Sequence, residues 1–216
     1  MSNRISRIFR LRFWGEYACF TRPELKVERV SYPMMTPSAA RGALESILWK
    51  PQISWRIERI DRLRLPIFQQ VRRNEVELKA SAERTGIVID QVRQQRAALI
   101  LRDVDYVVHA RICLTQNAGR QDSVTKYSAM FQRRARAGQC FQRPYLGTRE
   151  FAAEFSLVDE VIPDPEPARS MATENLGWMF YDFDWSCRPP RARFFEARLE
   201  FGRMAVPPPK VMEFRS

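Results

Sequence analysis

The chain has 216 residues, 45% of them hydrophobic, and carries 36 Lys+Arg against 25 Asp+Glu for a net charge of +11. That length fits one domain or one compact domain with an appendage, and that hydrophobic share can build a core. The cationic surplus is largely arginine and predicts a polyanionic partner, because each neutralised phosphate releases a counterion. No stretch has the apolar length to span a bilayer and no lipidation signal is visible, so a membrane partner is not expected.

Met1 to Arg7 lack an apolar signal core, which predicts a cytoplasmic protein. Cys19, Cys113, Cys140 and Cys187 are scattered without a CxxC pair and read as reduced thiols. With His109 the only histidine, no metal-ligand spacing is present, and no metal or cofactor is expected.

In chain order, residues 8–14 alternate, with Phe9, Leu11 and Phe13 on one face and Arg10 and Arg12 on the other. This predicts a half-buried strand with a basic second face, ended by Gly15. Residues 16–35 read as a long irregular loop carrying Arg22, Lys26 and Arg29. Thr36-Pro37 opens a helix, Thr as N-cap and Pro at the first helical position, running through Leu48 and ending before Pro51. Residues 53–65 alternate again but slip phase at Glu58-Arg59, which predicts a bulge.

Residues 67–96 read as an irregular region with Arg72 and Arg73, in which Ile87-Val88-Ile89 is a candidate hairpin arm. From Val104 to Leu114 the period-2 pattern is the clearest in the chain, with Asp105, His109 and Arg111 on its opposite face. A second helix is expected over about 122–137, with Asp122 as N-cap and Gly138 as closing residue, followed by a strand at about 150–157.

Strand, helix, strand, strand, helix, strand is an α+β, ferredoxin-like βαββαβ plan, with one sheet face covered by helices and the other open to a ligand. The predicted organisation is a body over 1–157, including the 67–96 region, and a remainder over 158–216. That remainder comprises a Pro- and acid-rich connector, an aromatic-rich C-terminal extension and a Pro-rich tail from Pro207.

The densest chemical signal is Arg133, Arg134 and Arg136, followed by Phe141, Arg143, Tyr145 and Arg149. Cations interleaved with aromatics pair phosphates and stack bases, although a basic turn also caps a helix C-terminus. Together with Arg22, Lys26 and Arg29 and with Arg72 and Arg73, the pattern favours RNA binding. Tyr127 shares a helix face with Val124, Phe131 and Ala135, which predicts a core aromatic, and Lys126 then points sideways. His109 reads as an exposed polar residue or a general base. Asp103/Asp105 and Asp182/Asp184 read as strand-edge carboxylates.

Several runs together resemble one family: Arg12-Phe-Trp-Gly-Glu-Tyr-Ala-Cys-Phe-Thr-Arg-Pro-Glu24, Lys26-Val-Glu-Arg-Val-Ser-Tyr32, Thr36-Pro-Ser-Ala-Ala-Arg-Gly42, Trp49-Lys-Pro51 and Arg72-Arg-Asn-Glu-Val76. Arg102-Asp-Val-Asp-Tyr106, Arg133-Arg-Ala-Arg-Ala-Gly-Gln139, Leu146-Gly147 with Arg149-Glu-Phe151, and Leu176-Gly-Trp-Met179 continue it. Nearly the whole chain resembles the CRISPR-associated Cas-five family of the RAMP superfamily, in its subtype I-C form.

The resemblance implies an RRM-like RNA-binding body with a thumb hairpin and a small C-terminal extension. It implies a Cascade subunit that holds the 5′ handle of the guide RNA and touches the large and backbone subunits, with target DNA an indirect partner. It also implies metal-independent cutting of precursor RNA by attack of a ribose 2′-oxygen. The family places a Lys-His pair on the second helix and an aromatic or histidine before Trp-Lys-Pro. Here those positions read Lys126-Tyr127 and Leu48, so the sequence alone ranks RNA binding ahead of cleavage.

Overall fold

The alternation of Phe9, Leu11 and Phe13 does build a strand, and all three side chains are buried. A computed structural model of the chain describes residues 4–25, 27–78, 81, 86–159 and 173–209. Strand β1 spans Phe9–Ala18, so Gly15 does not end it. Gly15 instead permits close approach, since a Cβ there would lie 2.8 Å from Leu146 Cδ1 and 3.1 Å from the Ala152 carbonyl oxygen. The loop that follows contains a two-residue strand, β2 (Arg29–Val30), and Lys26 lies outside the described residues.

Helix α1 covers Pro37–Ile47, with the Thr36 hydroxyl accepting from the Ala39 amide at 3.2 Å. Strand β3 (Ile53–Arg62) carries the expected bulge between Ile57 and Arg59. The region read as irregular is ordered: β4 (Ile67–Val76) pairs residue for residue with the first part of β5 (Arg93–Leu114), and a short helix α2 (Ile89–Val92) precedes β5. Residues 87–89 are therefore not an arm of this hairpin. The half-buried row of β4 is Gln69, Val71, Arg73 and Glu75, of which only Val71 is apolar and packs on the small cluster of Cys19, Ala98 and Ile100, so the alternation that marks a half-buried strand is missing from β4. Asp103, at a φ of 53°, is the joint between the arm and the body part of β5.

Helix α3 is Val124–Arg136, capped by Ser123, whose hydroxyl accepts from the Lys126 amide at 3.2 Å. The expected cap, Asp122, is one residue too early. Strand β6 (Glu154–Leu157) pairs with β1. The C-terminal segment forms β7 (Thr173–Asp184), β8 (Arg191–Glu200) and β9 (Arg203–Ala205), and β9 pairs antiparallel with β3.

The result is a mixed α/β fold on a mostly antiparallel sheet, in the order β6-β1-β5-β3-β9-β8-β7, with β2 and β4 attached to β5. Phe131 of α3 meets Phe9 at 5.2 Å and Trp55 at 4.6 Å, both edge-to-face, so α3 packs on the β1/β5/β3 surface. Leu44 and Ile47 bury α1 in the same core. Each such side chain contributes about 1.5–3 kcal/mol on burial. Met179, Phe195, Leu199 and Met204 extend that core beneath the C-terminal strands. Arg41 ties the two parts, with Nε and Nη2 donating to the Asp182 carboxylate at 2.6 and 3.1 Å.

Candidate nucleic-acid interface

At the start of α3, Asp122 organises two neighbours. The Tyr127 hydroxyl donates to its Oδ1 at 2.5 Å, and the exposed Lys126 Nζ donates to the same oxygen at 3.2 Å. Oδ2 accepts from the Gly119 amide at 3.0 Å. These bonds hold the Asp122 carboxyl below its usual range, the Tyr127 hydroxyl contributing most. Tyr127 is buried, as its place in the apolar stripe predicts, and its phenol is pushed up to about 12 by burial first and by Asp122 second. A phenol in that state is a poor proton acceptor at neutral pH. Lys126 Nζ keeps two N–H groups for an incoming anion.

Asp122 itself was missed as a site residue. Its spacing to a lysine four residues on, the usual helical ion-pair distance, is the signal that identifies it. Leu48 is fully buried, and its carbonyl accepts from Trp55 Nε1 at 3.0 Å, so its side chain takes no part at the surface.

The arginines singled out from sequence divide into two groups. Arg72, Arg133 and Arg149 are exposed, with no ion pair among the described residues. Arg29 lies 3.6 Å from Glu75 and 3.7 Å from Glu150, and Arg73 also pairs with Glu150 and stacks 5.2 Å over Phe151. Arg136 pairs with Asp159 at 3.1 Å, and Arg143 with Glu154. Arg134 donates to the Ile47 carbonyl at 2.9 Å and so caps α1. Arg22 lies 4.5 Å over the Tyr32 ring, with Glu24 at 3.8 Å. The structure therefore does not gather these residues into one patch of free charge.

The sheet face opposite the helices also differs from expectation. Asp105 and His109 are buried there, not exposed. Arg12 grips Asp105 at 2.9 and 2.6 Å, and Arg56 and Arg111 share Glu58 at 2.7 and 3.3 Å. Asp61 Oδ2 meets both Arg59 Nη2 and His109 Nε2 at 2.9 Å. Three carboxylates thus engage four of the arginines on this face, which leaves it with less free positive charge for phosphate than its arginine count suggests. His109 lies across the sheet from Lys126 and does not join it.

Pairs of acidic residues behave as structural partners: Asp182 holds Arg41, and Asp184 holds Arg193. Among the described residues, no three His, Cys, Asp or Glu side chains converge as a metal site. All four cysteines are free thiols. Among the described residues no helix is long and apolar enough to cross a membrane.

Comparison with known proteins adds the rest. The chain is 46% identical over 222 aligned positions to the CRISPR pre-crRNA endoribonuclease Cas5d of Mannheimia succiniciproducens, with 96% of each chain covered. It is 41% identical to the protein of the same description from Thermus thermophilus, covering 94% of this chain and 93% of that one. The fold matches a crystal structure of a CRISPR-associated protein with a TM-score of 0.72 at 20% identity, covering 97% of this chain and 96% of that one. It also matches a functionally uncharacterized protein, SMU1763c from Streptococcus mutans, with a TM-score of 0.69 at 23% identity and 97% coverage of both. Residues 8–207 match the family described as CRISPR-associated protein (Cas_Cas5), and the chain belongs to that family in its Cas5d form.

Proposed function

We propose that this chain binds and cuts precursor CRISPR RNA without a metal ion, and then keeps the repeat-derived 5′ handle as a subunit of a type I-C Cascade. In that complex it contacts the large and backbone subunits, with target DNA an indirect partner. The strand order β6-β1-β5-β3, all antiparallel, with α1 and α3 packed into one core, supports reading the body as ferredoxin-like. The paired β4–β5 arm supports reading it as the thumb. Two relatives above 40% identity, each described as a pre-crRNA endoribonuclease, raise cleavage above the binding-only reading that the sequence favours.

The observation that carries the chemistry is Lys126, half exposed and oriented by Asp122 at 3.2 Å. In the proposed reaction a ribose 2′-oxygen attacks the neighbouring phosphorus as its proton passes to water. The bond to the 5′-oxygen breaks and that oxygen takes a proton from water, giving a cyclic 2′,3′-phosphate and a 5′-hydroxyl. The two remaining Lys126 N–H groups stabilise the negative charge that builds on the phosphorane oxygens. Tyr127, held protonated by Asp122, positions that carboxylate and does not serve as the base.

A second reading, handle binding without cleavage, is favoured by Tyr127 and Leu48, since neither side chain can accept a proton at neutral pH. Labelled repeat hairpin RNA incubated with the protein in EDTA separates the two. A discrete cut that Lys126→Ala abolishes, with affinity retained, supports the nuclease. Tight binding of intact RNA supports the second reading.

A further inference from the structure

Two of the most exposed large rings in the protein emerge from one corner of the fold. Trp49, the second residue after α1, is 61% exposed, and Phe141, beyond the end of α3, is 92% exposed. The Phe141 amide donates to the Ser46 carbonyl at 2.8 Å, and Arg134 donates to the next carbonyl, Ile47, at 2.9 Å. The segments that bear the two rings are thus fixed to the same last turn of α1. The Thr115 hydroxyl donates to the Pro51 carbonyl at 2.7 Å, which joins the Trp49-Lys50-Pro51 loop to the strand end that leads into Asp122 and Lys126.

Lys50 directly follows Trp49, and Arg133 precedes Arg134, the residue fixed to the end of α1. Lys50 and Arg133 are exposed and have no ion pair among the described residues. Aromatic faces left in water beside free cations match the chemistry of a single-stranded nucleic acid, whose bases stack while its phosphates pair. A protein partner of the usual kind would favour a packed apolar patch, whereas the two rings here make no ring contact with each other.

We infer that Trp49 and Phe141 are stacking platforms for unpaired nucleotides of the RNA, with Lys50 and Arg133 engaging the adjoining phosphates. This inference rests on the RNA-binding reading above, and it names the part of the RNA that the surface takes: single-stranded nucleotides flanking the hairpin. Trp49 and Phe141 act in binding and position the strand relative to Lys126.

The test uses the full chain and repeat hairpin RNA carrying its single-stranded flanks, together with a series in which each flanking nucleotide in turn is abasic. Trp49→Ala and Phe141→Ala are each expected to weaken binding by about 5- to 100-fold, the range for loss of one base stack. Trp49→Phe and Phe141→Tyr are expected to restore most of that loss. At one flanking position the abasic RNA should lose affinity for the parent protein but lose none further for the alanine variant. Alanine variants that bind both RNAs like the parent overturn the inference while leaving the RNA-binding reading intact. A parent protein that binds no repeat RNA overturns both. Variants with normal RNA affinity that no longer assemble with the other Cascade subunits would reassign the surface to a protein partner and also overturn it.

Discussion

The Tyr127 hydroxyl donates to Asp122 Oδ1 at 2.5 Å, and this contact ties the aromatic core of α3 to the only lysine on that helix. Burial and the carboxylate together push the phenol up to about 12, so it is protonated at neutral pH. Tyr127→Phe should therefore change the cleavage rate at neutral pH by less than about threefold, as expected for a group that transfers no proton. Tyr127→His, which supplies a base near neutrality, should raise the rate and add a pH limb near the ordinary histidine range. Single-turnover rates from pH 5 to 9 measure both.

The same contact sets a pH window for stability. Tyr127 has its folded pKa raised from 10.0 to about 12, so its stabilising effect is full below pH 10 and is lost as pH rises toward 12. Asp122 has its folded pKa lowered, so its share is present above the ordinary carboxylate range and is lost as pH falls through the depressed value. The difference in Tm between the parent protein and Tyr127→Phe should accordingly be largest across the neutral range and shrink at both extremes. A difference that grows above pH 10 would contradict the assigned geometry.

Neighbouring arginines on α3 should behave differently. Arg133 is exposed and unpaired among the described residues, so Arg133→Ala should weaken RNA binding and lower the slope of log K against log salt by about 1. Arg134 caps α1 through the Ile47 carbonyl, so Arg134→Ala should chiefly cost stability, about 1 kcal/mol. Salt titrations of RNA affinity and urea unfolding separate the two effects.

Arg41 joins α1 to β7 through the Asp182 carboxylate and reaches Glu45 at 2.8 Å. With both partners largely shielded, Arg41→Ala should destabilise the fold by about 2 kcal/mol in urea unfolding. Gly147 has φ 89°, and a Cβ there would lie 2.0 Å from the Cys19 carbonyl oxygen. Gly147→Ala should therefore cost more, at least about 3 kcal/mol, or prevent folding.

The sequence was most legible where one face of an element is buried. Thr36-Pro37, the phase slip at Glu58-Arg59 and the Phe9/Leu11/Phe13 alternation each report a local rule that tertiary structure did not override. Strand β4 was not legible, because Val71 is its one apolar side chain packed on the cluster of Cys19, Ala98 and Ile100, and Gln69, Gln70, Arg72 and Arg73 interrupt the apolar alternation around it. The candidate site was only half legible. Lys126 and Tyr127 stood out by resemblance to the family, but Asp122, which holds both, looked like a helix cap. Charge counting failed in another way: composition counts Arg12, Arg29, Arg59 and Arg73 as free cations, whereas the fold brings a carboxylate to each.

The central claim, that the RNA's own 2′-hydroxyl is the nucleophile and Lys126 the charge stabiliser, is tested most directly by a single-atom change in the substrate. Repeat hairpin RNA with a 2′-deoxy nucleotide at the scissile position should bind with unchanged affinity in EDTA and remain wholly uncut, while the all-ribose RNA is cleaved to a cyclic 2′,3′-phosphate end. Cleavage of the deoxy substrate at the same position would contradict the account.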